Sequence, residues 1–409
     1  MLTFHILRVR RKLTKHSSIM AKSKHIAPLR SDSILFVGMV DSPHFQKWVE
    51  NYMMEFPNMK ISIFPSDRPR GANAVFLGKK MDRENLFQFR FSRIRVLNFI
   101  LFKTLDKILG LSWRAYFLAK VIQKKKPITI HFHETQHSAY IYNLIACYKR
   151  IPSNTLKILS TWGSDLILYS KFESHHSNIL ASMSWVDILT AERREDFQIA
   201  QKFGFDGEFV APIYITVGSE IDNFRHPNPS MRKIVLIKGY QDLPGRALNA
   251  LDVVSRIGRS FPEVKFLVYS AAKSVKIRVS QIKTEFGIDI SIIERVSKQE
   301  MDNYFSQARV AISLAISDGL PGSLVEAMRA GAFPIQSLNS AGPNMIINGE
   351  SGFLVNPEDI DEIKKALICA LEDDELVDSA YEKNICTLKK KYSFVEGRKV
   401  LRSIYTMLR

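Results

Sequence analysis

The sequence predicts an α/β protein built from two doubly wound, Rossmann-like domains facing each other across a cleft. Three observations predict it. Short apolar, strand-like runs alternate with helical segments from residue 33 onward. That alternation pauses once, around Ile215 to Met231, where Gly218, Pro227, Asn228 and Pro229 make a linker, and then begins again. A length of 409 residues suits two domains of ordinary size. Alternation of this kind implies parallel sheets covered on both faces, with ligands bound beyond the strand C-termini. The expected division is a basic arm over 1–30, predicted to be disordered, a first domain over 31–218, a second over 230–392, and a last helix over 393–409 that crosses back to the first domain.

The first strand is read at Ser33–Gly38, a buried apolar run ending in glycine, followed by a helix from Pro43 to Met54. Further strands are read at Ile61–Phe64, Ala74–Leu77, Ile128–His131, Leu156–Ser160 and Asp187–Thr190. Polar residues cluster where such strands end: Asp41-Ser42-Pro43-His44, His133-Glu134-Thr135, and Trp162-Gly163-Ser164-Asp165. The second unit begins at Ile234–Gly239 and continues through Lys265–Tyr269, Asp289–Ile293 and Val310–Leu314. A helix from about Ser393 to Leu408 closes the chain.

Charge is uneven. The net charge is +17, yet residues 1–30 carry eight Lys or Arg with no acid, and residues 79–126 carry thirteen bases against three acids. Those two stretches account for all of it. Within 86–126 the bases interleave with large apolar residues such as Phe89, Phe91, Phe99, Phe102, Trp113 and Phe117. A basic amphipathic helix with Phe and Trp on its apolar side describes a segment lying on an anionic membrane surface; a core-facing helix with a basic outer face is the competing description. No zinc finger or RNA-recognition signature accompanies the basic stretches, so nucleic acid is not an expected partner. No apolar run approaches a spanning length, and Met1–Arg11 is too interrupted for a signal peptide. Cys147, Cys369 and Cys386 are too widely spaced for a disulfide framework or a zinc site; each is read as a small buried thiol, in a reducing compartment.

The most informative segment is Ser317-Asp318-Gly319-Leu320-Pro321-Gly322-Ser323-Leu324-Val325-Glu326-Ala327-Met328. It reads as strand, tight loop, then helix. A helix beginning near Ser323 aims backbone N–H groups and a positive dipole end into the loop, a site for phosphate. Asp318 precedes the helix and Glu326 lies one turn inside it, an arrangement suited to a sugar nucleotide. Taken alone, a carboxylate pair at this spacing also describes a capped surface helix.

With Gly331-Ala332-Phe333-Pro334-Ile335, Gly342, Asn348-Gly349 and Gly352-Phe353-Leu354-Val355 downstream, the segment resembles the Glu-x7-Glu signature of family 4 glycosyltransferases, retaining enzymes of the GT-B fold. Asp318 stands in place of the first Glu. The resemblance makes the downstream stretch a short strand, a glycine loop and a hairpin-like return. Lys238-Gly239-Tyr240-Gln241, Gly245-Arg246-Ala247 and Trp162-Gly163-Ser164-Asp165 are similar to bacterial members acting in surface-polysaccharide assembly. The resemblance implies a retaining glycosyltransferase that moves a sugar from a nucleotide-sugar donor to a lipid-linked or polysaccharide acceptor. It further implies no cofactor and no metal, an acceptor-side first domain and a donor-binding second domain. Its expected place is cytoplasmic, peripheral at the inner face of the membrane. Two departures, Asp318 and Tyr240 where Arg is common, keep open a catalytically inactive GT-B-like partner in a membrane-associated assembly.

By the same resemblance, His133, Asp318 and Glu326 are the catalytic candidates: His133 near the reacting carbon, Asp318 on donor-sugar hydroxyls, Glu326 on the ribose. Lys238 and Arg246 would take the diphosphate charge, with Gly239, Val296, Gly319, Leu320, Pro321 and Gly322 around the donor and the N–H groups of Leu324 and Val325 on phosphate. Gly38, His44 and Asp165 are the acceptor-side candidates; helix capping competes for Asp165. His131, His133 and Glu134 do not make a metal site, because Glu134 points to the opposite face of the strand. Asp359-Ile360-Asp361 is better read as a helix cap than as a metal-binding Asp-x-Asp.

Overall fold

The computed structural model describes residues 33–67, 86–89, 95–146, 154–214, 226–340 and 342–406. Two six-stranded parallel sheets carry the fold. The first contains β1 (Ser33–Gly38), β2 (Lys60–Pro65), β3 (Thr129–His133), β4 (Leu156–Thr161), β5 (Ile188–Ala191) and β6 (Glu208–Val210), in the order β2-β1-β3-β4-β5-β6. The second contains β7 (Ile234–Lys238), β8 (Lys265–Tyr269), β9 (Ile290–Ile293), β10 (Ala308–Ser313), β11 (Phe333–Ser337) and β12 (Phe353–Val355), in the order β12-β11-β10-β7-β8-β9.

Strands buried on both faces must be apolar throughout, which is why they are legible as runs. In β1, Leu35 and Val37 enter the core on one side of the sheet while Ile34 and Phe36 enter the core on the other. This is the two-residue period of a strand serving two helical layers. In the second domain the helix Ala247–Ile257 buries Ala250, Leu251, Val253, Val254 and Ile257 against β7, β8 and β10. Local caps agree with this layout. Ser297 and Glu300 form a reciprocal capping box at the helix Lys298–Gln307. Asp359 caps the helix Ile360–Glu372 by accepting from the N–H groups of Asp361 and Glu362.

The last helix, Phe394–Thr406, packs on the first domain's opening helix Pro43–Glu55. Leu401, Ile404 and Tyr405 are buried there with Trp48 and Tyr52. Arg402 Nε donates to Glu55 Oε2 at 3.0 Å on the rim. Tyr405 also reaches into a buried polar chain. Its hydroxyl accepts from Trp48 Nε1 at 3.2 Å and lies 2.5 Å from His131 Nδ1, and His131 Nε2 continues to Ser160 Oγ at 2.7 Å.

Three expectations change. β12 runs parallel to β11, so the stretch after β11 is a crossover and not a hairpin-like return. The basic segment forms two helices, Arg95–Leu109 and Ser112–Lys125, whose Phe102 and Trp113 pack with Phe89 in the core. Arg114 is buried among them, donating to Ser66 O at 2.8 Å and paired with Asp106. The aromatic side is therefore core. What this hairpin leaves exposed is Leu97, Ile100, Ile108, Leu109 and Tyr116. Cys386 is an exposed thiol, not a buried one. The predicted arm 1–30, the strand Ala74–Leu77, Cys147 and the core of the linker lie outside the described residues.

Candidate active site

The C-terminal ends of the two sheets face one cavity of about 440 Å³. His44, Trp162, Gly163, Ser164 and Glu192 line it from the first domain. Lys238, Tyr240, Asp318, Leu320, Pro321, Gly322, Ser323 and Glu326 contribute from the second.

The second-domain half is built by the turn after β10. Ile316 N–H donates to Pro244 O at 2.8 Å and Asp318 N–H to Asn339 O at 3.2 Å, which braces the loop between two neighbours. Pro321 then opens the helix Gly322–Ala330, whose Leu324, Val325 and Met328 are buried beneath it. The first-turn N–H groups of such a helix lack intrahelical partners, and Gly322 and Ser323 carry them at the cavity wall. Asp318 turns one oxygen to its own loop, accepting from Gly319 N–H at 2.9 Å. Its other oxygen lies 3.6 Å from Lys238 Nζ. Lys238 in turn lies over the Tyr240 ring, 4.5 Å from its centroid. The residue occupying the position where Arg was expected thus supports the lysine. Glu326 meets Lys298 Nζ at 2.8 Å.

From the first domain, Glu192 follows β5 and crosses to the donor-side loop. Its Oε2 accepts from Leu320 N–H at 3.1 Å and from Gly163 N–H at 3.3 Å. Burial pushes its carboxyl up to about 8, with Asp318 and Asp196 nearby adding to the shift against the two backbone hydrogen bonds. Glycine is required at 319, since a Cβ would lie 2.8 Å from the Gly163 backbone N and Cα as well as against Glu192 Oε2. Sequence reasoning missed Glu192. The signal was its place at the C-terminal end of the predicted strand Asp187–Thr190, where such sheets bind ligands.

His44, Lys238, Asp318, Leu320, Pro321, Gly322 and Glu326 converge on the cavity as predicted residues. Gly319 lies in the same loop, pressed against Gly163. The others are placed elsewhere. His133 is fully buried beneath the cavity floor, packed against Phe36, Phe45, Trp48, His131 and Trp162. Neither ring nitrogen has a partner, and burial lowers its pKa to about 3. The histidine at the cavity wall is His44, which sits 5.3 Å from the Trp162 ring. Burial, with Lys47 nearby, lowers its pKa.

Asp165 is also buried, accepting from Thr135 N–H at 2.8 Å and Trp162 N–H at 3.2 Å. It ties the loops after β3 and β4 together, taking the N–H of the first residue of the short helix Thr135–Ala139, and does not line the cavity. Gly38 makes room for Phe45 and His133, where a Cβ would meet the Phe45 ring at 2.5 Å. Arg246 N-caps its helix by position, but its side chain turns to Glu358 Oε1 at 3.0 Å and Gly245 O at 2.8 Å. Gly239 lets the ends of β7 and β8 approach, its N–H donating to Tyr269 O at 2.7 Å. Val296 packs on the Ile293 and Phe305 cluster. The N–H groups of Leu324 and Val325 both turn to Pro321 O, at 3.0 and 3.4 Å, which moves the phosphate-facing amides back to Gly322 and Ser323.

Comparison with known proteins agrees with this architecture. Residues 219–385 match the family model described as glycosyl transferases group 1. No curated protein sequence matches the chain. Among solved structures, Anabaena HepE in complex with UDP and glucose is 12% identical, with a TM-score of 0.68 over 92% of this chain and 100% of that one. The lipopolysaccharide outer core galactosyltransferase WaaB is 14% identical, with a TM-score of 0.66 over 92% of this chain and 99% of that one. TarM is 12% identical, with a TM-score of 0.69 over 94% of this chain and 100% of that one. The chain carries the GT-B fold, and its match to the glycosyl transferases group 1 family model covers the second domain.

Proposed function

We propose that this protein is a retaining glycosyltransferase that moves a sugar from a nucleotide-sugar donor to a lipid-linked or glycan acceptor of the cell surface. The observation that carries the reading is the convergence of Asp318, Lys238, Glu326 and the N-terminus of the helix Gly322–Ala330 on a cavity walled by both domains. In this reading the diphosphate lies against the first-turn N–H groups, with Lys238 supplying positive charge as the sugar–phosphate bond breaks. Glu326, paired with Lys298 at the other end, holds the ribose diol. Asp318 faces the sugar, and the acceptor enters past His44 and Trp162. Charge neutralisation by a lysine and a helix end makes donor binding independent of added metal. The UDP bound in the HepE structure and the galactosyltransferase function of WaaB make UDP-sugars the first donors to test.

The same reading places the protein at the inner face of the cytoplasmic membrane, docked through the helices Arg95–Leu109 and Ser112–Lys125. Leu97, Ile100, Ile108 and Leu109 are exposed there beside Lys103 and Lys107. Apolar contact combined with positive charge is what an anionic bilayer surface accepts. Among the described residues no helix is long and apolar enough to cross a membrane.

The test is calorimetry of purified protein against nucleoside diphosphates and their sugars in EDTA, with Glu326→Ala as the control. Binding that the substitution removes supports the donor site. Well-folded protein that binds none of them is instead a non-catalytic assembly partner.

A further inference from the structure

Beside the cavity the loops Trp162–Asp165 and Asp318–Pro321 approach each other across the two domains, and Glu192 hydrogen-bonds to both. Its carboxyl oxygen receives one N–H from each domain, Gly163 at 3.3 Å and Leu320 at 3.1 Å. Around it the backbones are in near contact. A Cβ on Gly163 would lie 3.0 Å from Gly319 N, and a Cβ on Gly319 would lie 2.8 Å from Gly163 Cα. The neighbouring Arg193 extends the seam, its Nη1 donating to Asn339 O at 3.2 Å. Asn339 O is the same carbonyl that receives Asp318 N–H at 3.2 Å. The loop carrying Asp318 is therefore held from the opposite domain at Leu320 and, through Asn339, next to its own N–H.

We infer that Glu192 is a positioning residue of the donor site, clamping the loop Asp318–Pro321 to the loop Trp162–Asp165 so that Asp318 faces the sugar end of the donor. The inference rests on the glycosyltransferase reading for the identity of the ligand, but not for the clamp itself. A single acceptor shared by the buried amide of Leu320 and the half-buried amide of Gly163 fixes the distance between two loops that otherwise belong to independent sheets. Replacing it with a methyl group leaves both N–H groups without a partner. Asp318 from the donor loop, Asp196 from the helix Glu195–Lys202 and Tyr214 after β6 face this carboxyl, with His44 and Lys238 across the cavity. With burial raising the pKa of Glu192 to about 8, the side chain is largely neutral near pH 7. Glutamine, with one carbonyl oxygen and no charge, is then its conservative replacement.

Two measurements test the clamp. The first is hydrogen exchange without ligand in peptides covering Trp162–Asp165 and Asp318–Pro321, for wild type, Glu192→Ala and Glu192→Gln. The alanine variant is expected to exchange roughly tenfold faster in both loops, as loss of a shared buried acceptor requires, and glutamine to restore both. Unchanged exchange, or a change in the first-domain loop alone, overturns the clamp whether or not the protein transfers sugar. The second is steady-state kinetics and calorimetry with the nucleotide sugar that wild type turns over. Glu192→Ala is expected to lower kcat/KM for that sugar about tenfold while nucleoside diphosphate binding stays within about twofold, with rescue by glutamine. Equal losses for both ligands would mean general damage to the site and would overturn the positioning role. If wild type binds and turns over no nucleotide sugar, the functional reading fails, and hydrogen exchange still decides the clamp.

Discussion

Lys298 and Glu326, on adjacent helices of the second domain, meet at 2.8 Å, and the same lysine reaches Asp302 at 2.7 Å. Lys298 is 61% exposed and Glu326 29%. Such a pair contributes little to stability, about 1 kcal/mol at most, so its geometry is better explained by holding Glu326 toward the cavity. Glu326→Ala should abolish sugar transfer while shifting Tm by no more than a few degrees. A calorimetric titration with the donor nucleotide, run beside a thermal melt, checks both.

Lys238 and Arg246 separate cleanly. Lys238 lines the cavity and approaches Asp318, while the Arg246 guanidinium is committed to Glu358 and Gly245 O. Lys238→Ala is expected to lower kcat about a hundredfold, the scale of losing one charged stabiliser of a leaving group. Arg246→Ala should leave kcat within about threefold, because its nearest charge partner, Glu358, lies on the surface. Initial rates at saturating donor distinguish the two.

Stability should fall as pH rises from about 5 to 8. Burial raises the pKa of Asp165 to about 7 and of Asp196 to about 7, each above its unfolded value. From roughly pH 4 to 7 the folded state therefore binds more protons through these groups, so they lower stability as pH rises through that range. Burial depresses His133 to about 3, and burial with His133 beside it depresses His131. The unfolded state binds more protons through them below about 6.5, and their contribution to stability is lost as pH falls. Burial also raises Glu192 to about 8 and Glu134 above its ordinary value, so the carboxyls outweigh the two histidines. Tm measured from pH 5 to 9 should fall up to about pH 8 and then level. His133→Phe removes an opposing contribution and should steepen the fall between pH 5 and 6.5; an unchanged slope would falsify the assignment.

Tyr405 lies in the last helix and binds across to Trp48 and His131. Tyr405→Phe keeps the ring packed on Tyr52 and Phe56 but strands the buried indole N–H, a loss of about 1–3 kcal/mol. Tyr405→Ala should lose about 3–5 kcal/mol. Urea unfolding followed by tryptophan fluorescence reads both.

Membrane docking is checked by replacing Ile100 and Ile108 with Asp. Both are exposed, so folding should be unaffected. Flotation with vesicles containing anionic lipid should fall several-fold relative to wild type. Equal flotation removes this face from consideration.

Most of the fold was legible because strands of a parallel sheet must be apolar along their length, as Ile34–Val37 and Val235–Ile237 are. Two of the four edge strands, Glu208–Val210 and Phe353–Val355, span three residues each, too short for a pattern to separate them from loop. The second-domain half of the site was legible because Asp318 to Glu326 is one continuous stretch of chain. The first-domain half was not. Glu192 acquires its role from Leu320, 128 positions away, and nothing local marks that pairing. His133 has the right neighbours in sequence, yet it is fully buried, and Trp162, its ring 5.6 Å away, lines the cavity instead. Arg246 shows the same limit at shorter range, since a residue at the correct helix start was turned aside by Glu358.

The helix Phe394–Thr406 has a consequence for how the protein is made. Synthesis proceeds from the N-terminus, and domains generally fold as they emerge. The first sheet is complete once Val210 has been made, but the face formed by Trp48, Tyr52 and His131 receives Leu401, Ile404 and Tyr405 only after the second sheet has been made. Throughout synthesis of the second domain, the nascent first domain carries an apolar groove with a buried histidine at its base. The first domain thus waits on the ribosome nearly finished but unsealed, until the helix Phe394–Thr406 emerges and closes it.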